Sequence, residues 1–348
     1  MLQVTVLLVL FSFFGAITNA QKPTIILVDT SKNVSIRGLS VIDDNIIWCS
    51  GSNGAVARSV DGGKSFVWQT VAGYEKRDFR DIEAFDANTA IIMGIAEPAI
   101  ILKTKDGGQT WKKVFEDSTK GMFLDAMDFV AAVYKKDNKI TKRNFGIVLG
   151  DPIAGNPFVA MTVDEGDHWQ IDSFLTPFEK GEAFFASSGT NVKIYNLFNQ
   201  VGIGGIFVSG GNKSRLSYRD QLYILPIIQG KVSTGANSVD VWKNNAVVVG
   251  GDFANVKDTT GNCVLVSFNK EPEFNKPQTP PHGYRSCVIY INEKTLVTCG
   301  TSGVDVSYDG GKNWQLISTQ SFHVVQKARN GKIIFLAGSN GKIARLKL

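Results

Sequence analysis

The chain has 348 residues, 43% of them hydrophobic and 20% charged, a balance that excludes a disordered chain and supplies ample apolar material for a core. Its 37 basic and 32 acidic side chains leave a formal charge of +5, too small and too dispersed for the clustered footprint of a nucleic-acid binder. Four cysteines are too few for a small-domain disulfide framework, so a core must carry the stability.

The first twenty residues, MLQVTVLLVLFSFFGAITNA, carry no charge, hold an apolar run from Val4 to Phe14, and end with Thr18 and Ala20 at small-residue cleavage positions. This is the pattern of a signal peptide cut near Ala20 and predicts a secreted or periplasmic protein. No later stretch reaches the apolar length of a transmembrane helix, so the mature chain, 21–348, is expected to be soluble and without a membrane span.

Past a first strand in KPTIILVDT, from Lys22, strand pairs and a recurring octapeptide alternate along the chain. The octapeptide is SVDGGKSF from Ser59, TKDGGQTW from Thr104, TVDEGDHW from Thr162 and SYDGGKNW from Ser307, with a decayed copy, SFNKEPEF, from Ser267. Four copies of S/T-x-D-x-G-x-x-aromatic mark Asp-box hairpins: glycine supplies the positive φ of a tight turn, and the aspartate accepts backbone N–H groups across it. Each box joins two strands, and upstream of each lies another pair, such as IRGLSVIDD/NIIWCSG and FRDIEAFDA/NTAIIMG. Four strands per unit is a propeller blade.

Blade four lacks a box and is expected from EAFFASSG/NVKIYNLF to Leu225; blade five starts at NSVDVWKN. The tail from Ser321 offers only three strands, and KPTIILVDT is available as the fourth. The expected fold is therefore all-β, a seven-bladed β-propeller closed by pairing the N-terminal strand with the last blade, in a single domain and a monomer. Six or eight blades stay open because blade four has no box. The PQTPP stretch at 277–281 reads as one inter-blade loop, and the basic run 135–139 as a solvated loop. A hairpin turn at Asn292 to Lys294 sets Cys287 opposite Cys299, which makes a cross-strand disulfide conceivable, while Cys49 and Cys263 read as buried thiols.

The chain resembles the photosystem II stability/assembly factor-like proteins of the BNR/Asp-box repeat superfamily. The residues that carry the resemblance are IRGLSV, WCSGSNGAVARSVDGGKSF, DFRDIEAFD, KTKDGGQTW, DAMDF, GDPIAGNPF, GEAFFASSGT, VVVGGDF, GYRSCV and GKIARL. They match a bacterial, non-photosynthetic branch, for which the resemblance implies a propeller and export but no established reaction.

In a propeller, the loops that start the innermost strands share a face with the loops joining strands two and three, opposite the box turns. The residues starting the inner strands are Arg37, Arg80 with Asp81, Asp125, Glu182, Asn237 with Ser238, Arg285 and His323. All are polar or charged, and a ring containing three arginines suits a carboxylate or another anion. The plainer reading is that they pair among themselves, Arg80 with Glu182 or Arg37 with Asp81, and close the channel. Glu97, Asp151 and Asp252 lie in the second-to-third strand loops of the same face as candidate glycosidase carboxylates, although Asp-Pro and Gly-Asp are also ordinary turn chemistry. Tyr284 is a candidate nucleophile of sialidase type, but Ile36-Arg37-Gly38 departs from the Arg-Ile-Pro context of sialidases, and those propellers have six blades.

The three histidines lack metal spacing, the box sequence lacks the oxygen ligands of a calcium loop, and no nucleotide-binding loop is present, so no metal or cofactor is expected. The leading expectation is a non-enzymatic scaffold that binds a protein partner, a glycan or an anionic ligand at the channel mouth. The alternative is a glycoside hydrolase that uses carboxylates of that face.

Overall fold

The computed structural model describes residues 22–136, 139–173, 176–196, 203–219 and 221–348. The expected signal segment and cleavage site lie outside them, as do Asp137 and Asn138 of the basic run.

The described residues form thirty strands in seven antiparallel sheets. Blade one is typical. Its innermost strand Ile36–Val41 pairs with Ile47–Gly51, then Ala55–Ser59, then the outer Val67–Thr70. The inner three strands are almost wholly buried, whereas the outer one is exposed or half-buried, because neighbouring blades cover the faces nearest the axis. The last sheet runs Val324–Lys327, Ile334–Ala337, Ile343–Lys347 and then Thr24–Asp29. The N-terminal strand therefore supplies the outer strand of the blade that ends the chain.

The box sequence follows from its hydrogen bonds. In the first copy, Ser59 Oγ donates to Asp61 Oδ1 (2.8 Å) and accepts the Gly63 N–H (2.9 Å), while Asp61 Oδ1 accepts the N–H groups of Lys64 and Ser65. The same bonds recur at Thr104, Thr162 and Ser307. Gly63, at φ 80°, needs its missing side chain for a second reason: a Cβ there would lie 2.3 Å from Phe335, in the preceding blade. Each box thus locks a turn and rivets its blade to a neighbour.

Nearer the axis the blades are stitched by inner-strand side chains. The diverging backbones cannot pair, so Ser40 Oγ accepts the Ala84 N–H, Asp81 that of Met127, Asp128 that of Ile194, and Asp240 that of Tyr290. Hydrogen bonds of this kind contribute about 0.5–1.5 kcal/mol each.

Blade four departs from expectation. Its innermost strand is Val192–Asn196, and EAFF is not part of that strand: Glu182–Ala183 instead pairs with Gly210–Gly211, which joins the sheet of blade five. Val192 pairs with Phe207 and Ala183 with Gly210, so residues 184–191 on one side face only Val208 and Ser209 on the other. The surplus bulges into the channel. Two further expectations change. Cys287 and Cys299 are register partners, yet all four cysteines are buried free thiols. Lys135, Lys136 and Lys139 belong to the strands of a long hairpin in blade three rather than to a loop.

Candidate functional site

The surplus segment 184–191 plugs the channel. Arg37 donates to the Ser187 carbonyl (3.1 Å), Ser187 Oγ to Asn237, Ser188 Oγ to the Ser286 carbonyl (2.6 Å) and Thr190 Oγ1 to Ser238 (2.7 Å). These contacts reach blades one, five and six. Gly189, at φ 69°, sits against the carboxylate of Asp81, where a Cβ would approach within 2.3 Å. The plug divides the channel into two vestibules, one at each face.

The vestibule at the starting ends of the inner strands encloses about 450 Å³ and is lined by Arg37, Arg80, Asp125, Asp151, Tyr284 and His323, with aromatic walls. Arg80 pairs with Asp78 (2.8 Å) and lies over the Phe123 ring. Arg37 makes no ion pair among the described residues; burial first, then the charge of Arg80, weaken its hold on its proton. Phe185, Phe253 and Tyr284 follow edge to face.

Burial, reinforced by neighbouring Asp151, pushes Asp125 well above the usual carboxylate range, and its Oδ2 has no hydrogen-bond partner among the described residues. Burial raises Asp151 to about 6, although it accepts the Phe184 N–H. His323 is lowered to about 4 by burial and then by Arg37. Burial also raises Tyr284 to about 12, and its hydroxyl donates to Asn237 (2.8 Å). That phenol is held protonated.

Other expected members lie elsewhere. Arg285 does not converge with Arg37 and Arg80: it is fully buried, with its Nε on Asp305 Oδ2 (2.8 Å) and its remaining donors on Asp305, Ser302 and the carbonyls of His282 and Tyr284. Glu182 is taken by Arg215, whose Nε lies 2.8 Å from it, and so does not meet Arg80. Asp81 lines the opposite vestibule, with both oxygens on the N–H groups of Ile82 and Met127. Of the loop carboxylates only Asp151 lines the site. Glu97 accepts the Gly121 N–H, and Asp252 caps the turn at Ala254.

The family model of the photosynthesis system II assembly factor YCF48 matches residues 18–121, which hold the first two blades. A solved structure of YCF48 bound to D1 peptide is similar at TM-score 0.59 and 16% identity, over 94% of this chain and 95% of that one. YCF48 from Cyanidioschyzon merolae follows at 0.58 and 14%, over 92% and 98%. The WD40 propeller domain of Doa1 is similar at 0.58 and 12%, over 93% and 97%. The chain is a β-propeller that resembles the YCF48 assembly factors in the sequence of its first two blades. No curated protein matches its sequence.

In this propeller the parts that sequence reasoning missed are the plug and the aromatic walls at Phe123, Phe184, Phe185 and Phe253. One signal was available. FFASSGTN separates Glu182 from the strand at Val192, whereas in blades one to three the inner strand continues directly from its charged starting residue.

Proposed function

We propose that the chain is an exported, monomeric assembly scaffold that grips an extended acidic segment of a partner protein in the Arg37 and Arg80 vestibule. The observation carrying this reading is the pairing of two guanidinium groups, one free of ion pairs, with aromatic walls above a closed floor. Arginine forks suit carboxylates, aromatic walls suit apolar side chains, and the plug makes the site a cup rather than a pore. The solved YCF48 structure with a D1 peptide supports a peptide as the kind of partner.

The test is capture on an acidic-peptide array with the mature protein, repeated with the Arg37→Ala, Arg80→Ala double variant. The expected outcome is saturable binding that weakens at least tenfold (~1.4 kcal/mol) in the double variant. Binding unchanged by the substitutions overturns the placement. A second reading, glycoside hydrolysis, rests on the raised carboxyl groups of Asp125 and Asp151. Turnover of chromogenic glycosides that disappears in Asp151→Asn would displace the scaffold reading.

A further inference from the structure

The face opposite Arg37 and Arg80 carries a second recess, at the rim between blades five and six. After blade five, the chain from Asn275 is strapped beneath the box turn of blade six: the N–H groups of Gln278 and Thr279 both donate to the Lys312 carbonyl, and Trp314 donates back to Thr279 (3.1 Å). The strap and the turn wall a groove of about 520 Å³, the size of a site for one or two sugar rings.

Its aromatic members are Trp242 and Tyr290, with ring centroids 6.2 Å apart and planes 36° apart. Tyr290 also lines the channel vestibule on this face, so groove and channel meet at its ring. The indole N–H of Trp242 is shielded from solvent and has no acceptor among the described residues.

The polar lining is an excess of free donors. Lys276, Lys294 and Lys312 line the groove, and none of them makes an ion pair among the described residues. The acids beside them are engaged: Glu293 faces Lys243 at 3.6 Å, and Asp309 is bound by Asn313 and Ser307 within its box. Asn245 and Gln278 spend their amide oxygens on Ser267 and Asn313, leaving N–H groups to give. A ligand that fits must offer acceptors and negative charge, and a ring face to lie on the aromatic pair. Sugar rings do this with C–H groups while amides take their hydroxyls.

We infer that this groove binds an acidic saccharide, its carboxylate or sulfate held by the three lysines. The experiment is isothermal titration of the full-length mature chain with a galacturonate trisaccharide, a sulfated heparin-derived tetrasaccharide, a neutral glucose trisaccharide and a glutamate-rich pentapeptide. The expected result is saturable binding of an acidic saccharide, with the two acidic probes separating carboxylate from sulfate recognition. Binding should weaken at least tenfold in Lys276→Glu, Lys294→Glu, Lys312→Glu, whose sites are exposed and whose fold is checked by its unfolding transition, and several-fold in Trp242→Phe. It should be untouched in the Arg37→Ala, Arg80→Ala variant. No saturable binding of either acidic saccharide, equal binding by the triple variant, equal binding of the neutral sugar, or equal binding of the pentapeptide overturns the inference.

Discussion

His323 shows how burial and a nearby cation fix a protonation state at the channel mouth. Its Nδ1 lies 2.9 Å from the Ile36 carbonyl and its Nε2 3.1 Å from Ser339 Oγ, which fits a neutral ring that donates from Nδ1 and accepts at Nε2. Its pKa falls from 6.5 to about 4. Below pH 6.5 the unfolded chain gains a proton that the folded chain refuses, so this contribution is complete above 6.5 and lost as the pH falls toward 4. Asp151, raised to about 6, acts with the opposite sign: its folded form keeps a proton between pH 4 and 6 that the unfolded chain has released, so stability falls as pH rises through that window. Urea unfolding at pH 7 and 4.5 should therefore show an acid loss about 2 kcal/mol smaller in His323→Gln than in the parent. Equal acid losses would assign the effect to another group. At this scale the sequence makes Arg37, Arg80, Asp125 and His323 legible, because each starts an inner strand. It hides the fate of Arg285 and Glu182, since their partners Asp305 and Arg215 come from third strands whose facing is set only by the packed sheet.

Among the elements, the plug turns a channel into two cups, and its conformation rests on Gly189. Gly189→Ala places a Cβ against the Asp81 carboxylate, the same group that stitches blade two to the Met127 N–H of blade three. Gly73 offers a matched control, with φ 80° and nothing within 4 Å of an added Cβ. Gly73→Ala should cost only the left-handed penalty, about 1 kcal/mol, and Gly189→Ala at least about 2 kcal/mol more, by chemical denaturation. Equal losses would show that the plug yields and does not fix the channel. The boxes made the hairpins of blades one, two, three and six readable, because serine or threonine, aspartate and glycine each fill one bond of the turn. Blade four has no box to pin its register, so EAFF reads as its innermost strand by apolar pattern alone, and only the pairing of Val192 with Phe207 shows that the innermost strand starts later.

For the molecule as a whole, the decisive contact joins its two ends. Thr24–Asp29 pairs with Ile343–Lys347 over five register partners, and Trp68 Nε1 of blade one donates to Asp29 at 2.8 Å. A largest core cluster then spans blades one, six and seven, with Ile36 and Leu39 packed among Val297, Phe335 and Ile343. The closing strand itself is poorly buried, Leu27 being 48% exposed, so its value lies in backbone pairing and in covering an edge rather than in apolar area. A chain lacking residues 22–29 should keep its blades but expose the outer edge of Ile343–Lys347. It should melt several degrees lower and self-associate, measured by calorimetry and light scattering. The peptide KPTIILVDT added in trans should restore both the melting temperature and the monomer, since strand addition needs only the vacant edge. A truncated chain that stays monomeric and melts like the parent would mean that the ring is held by its inner stitches and boxes alone.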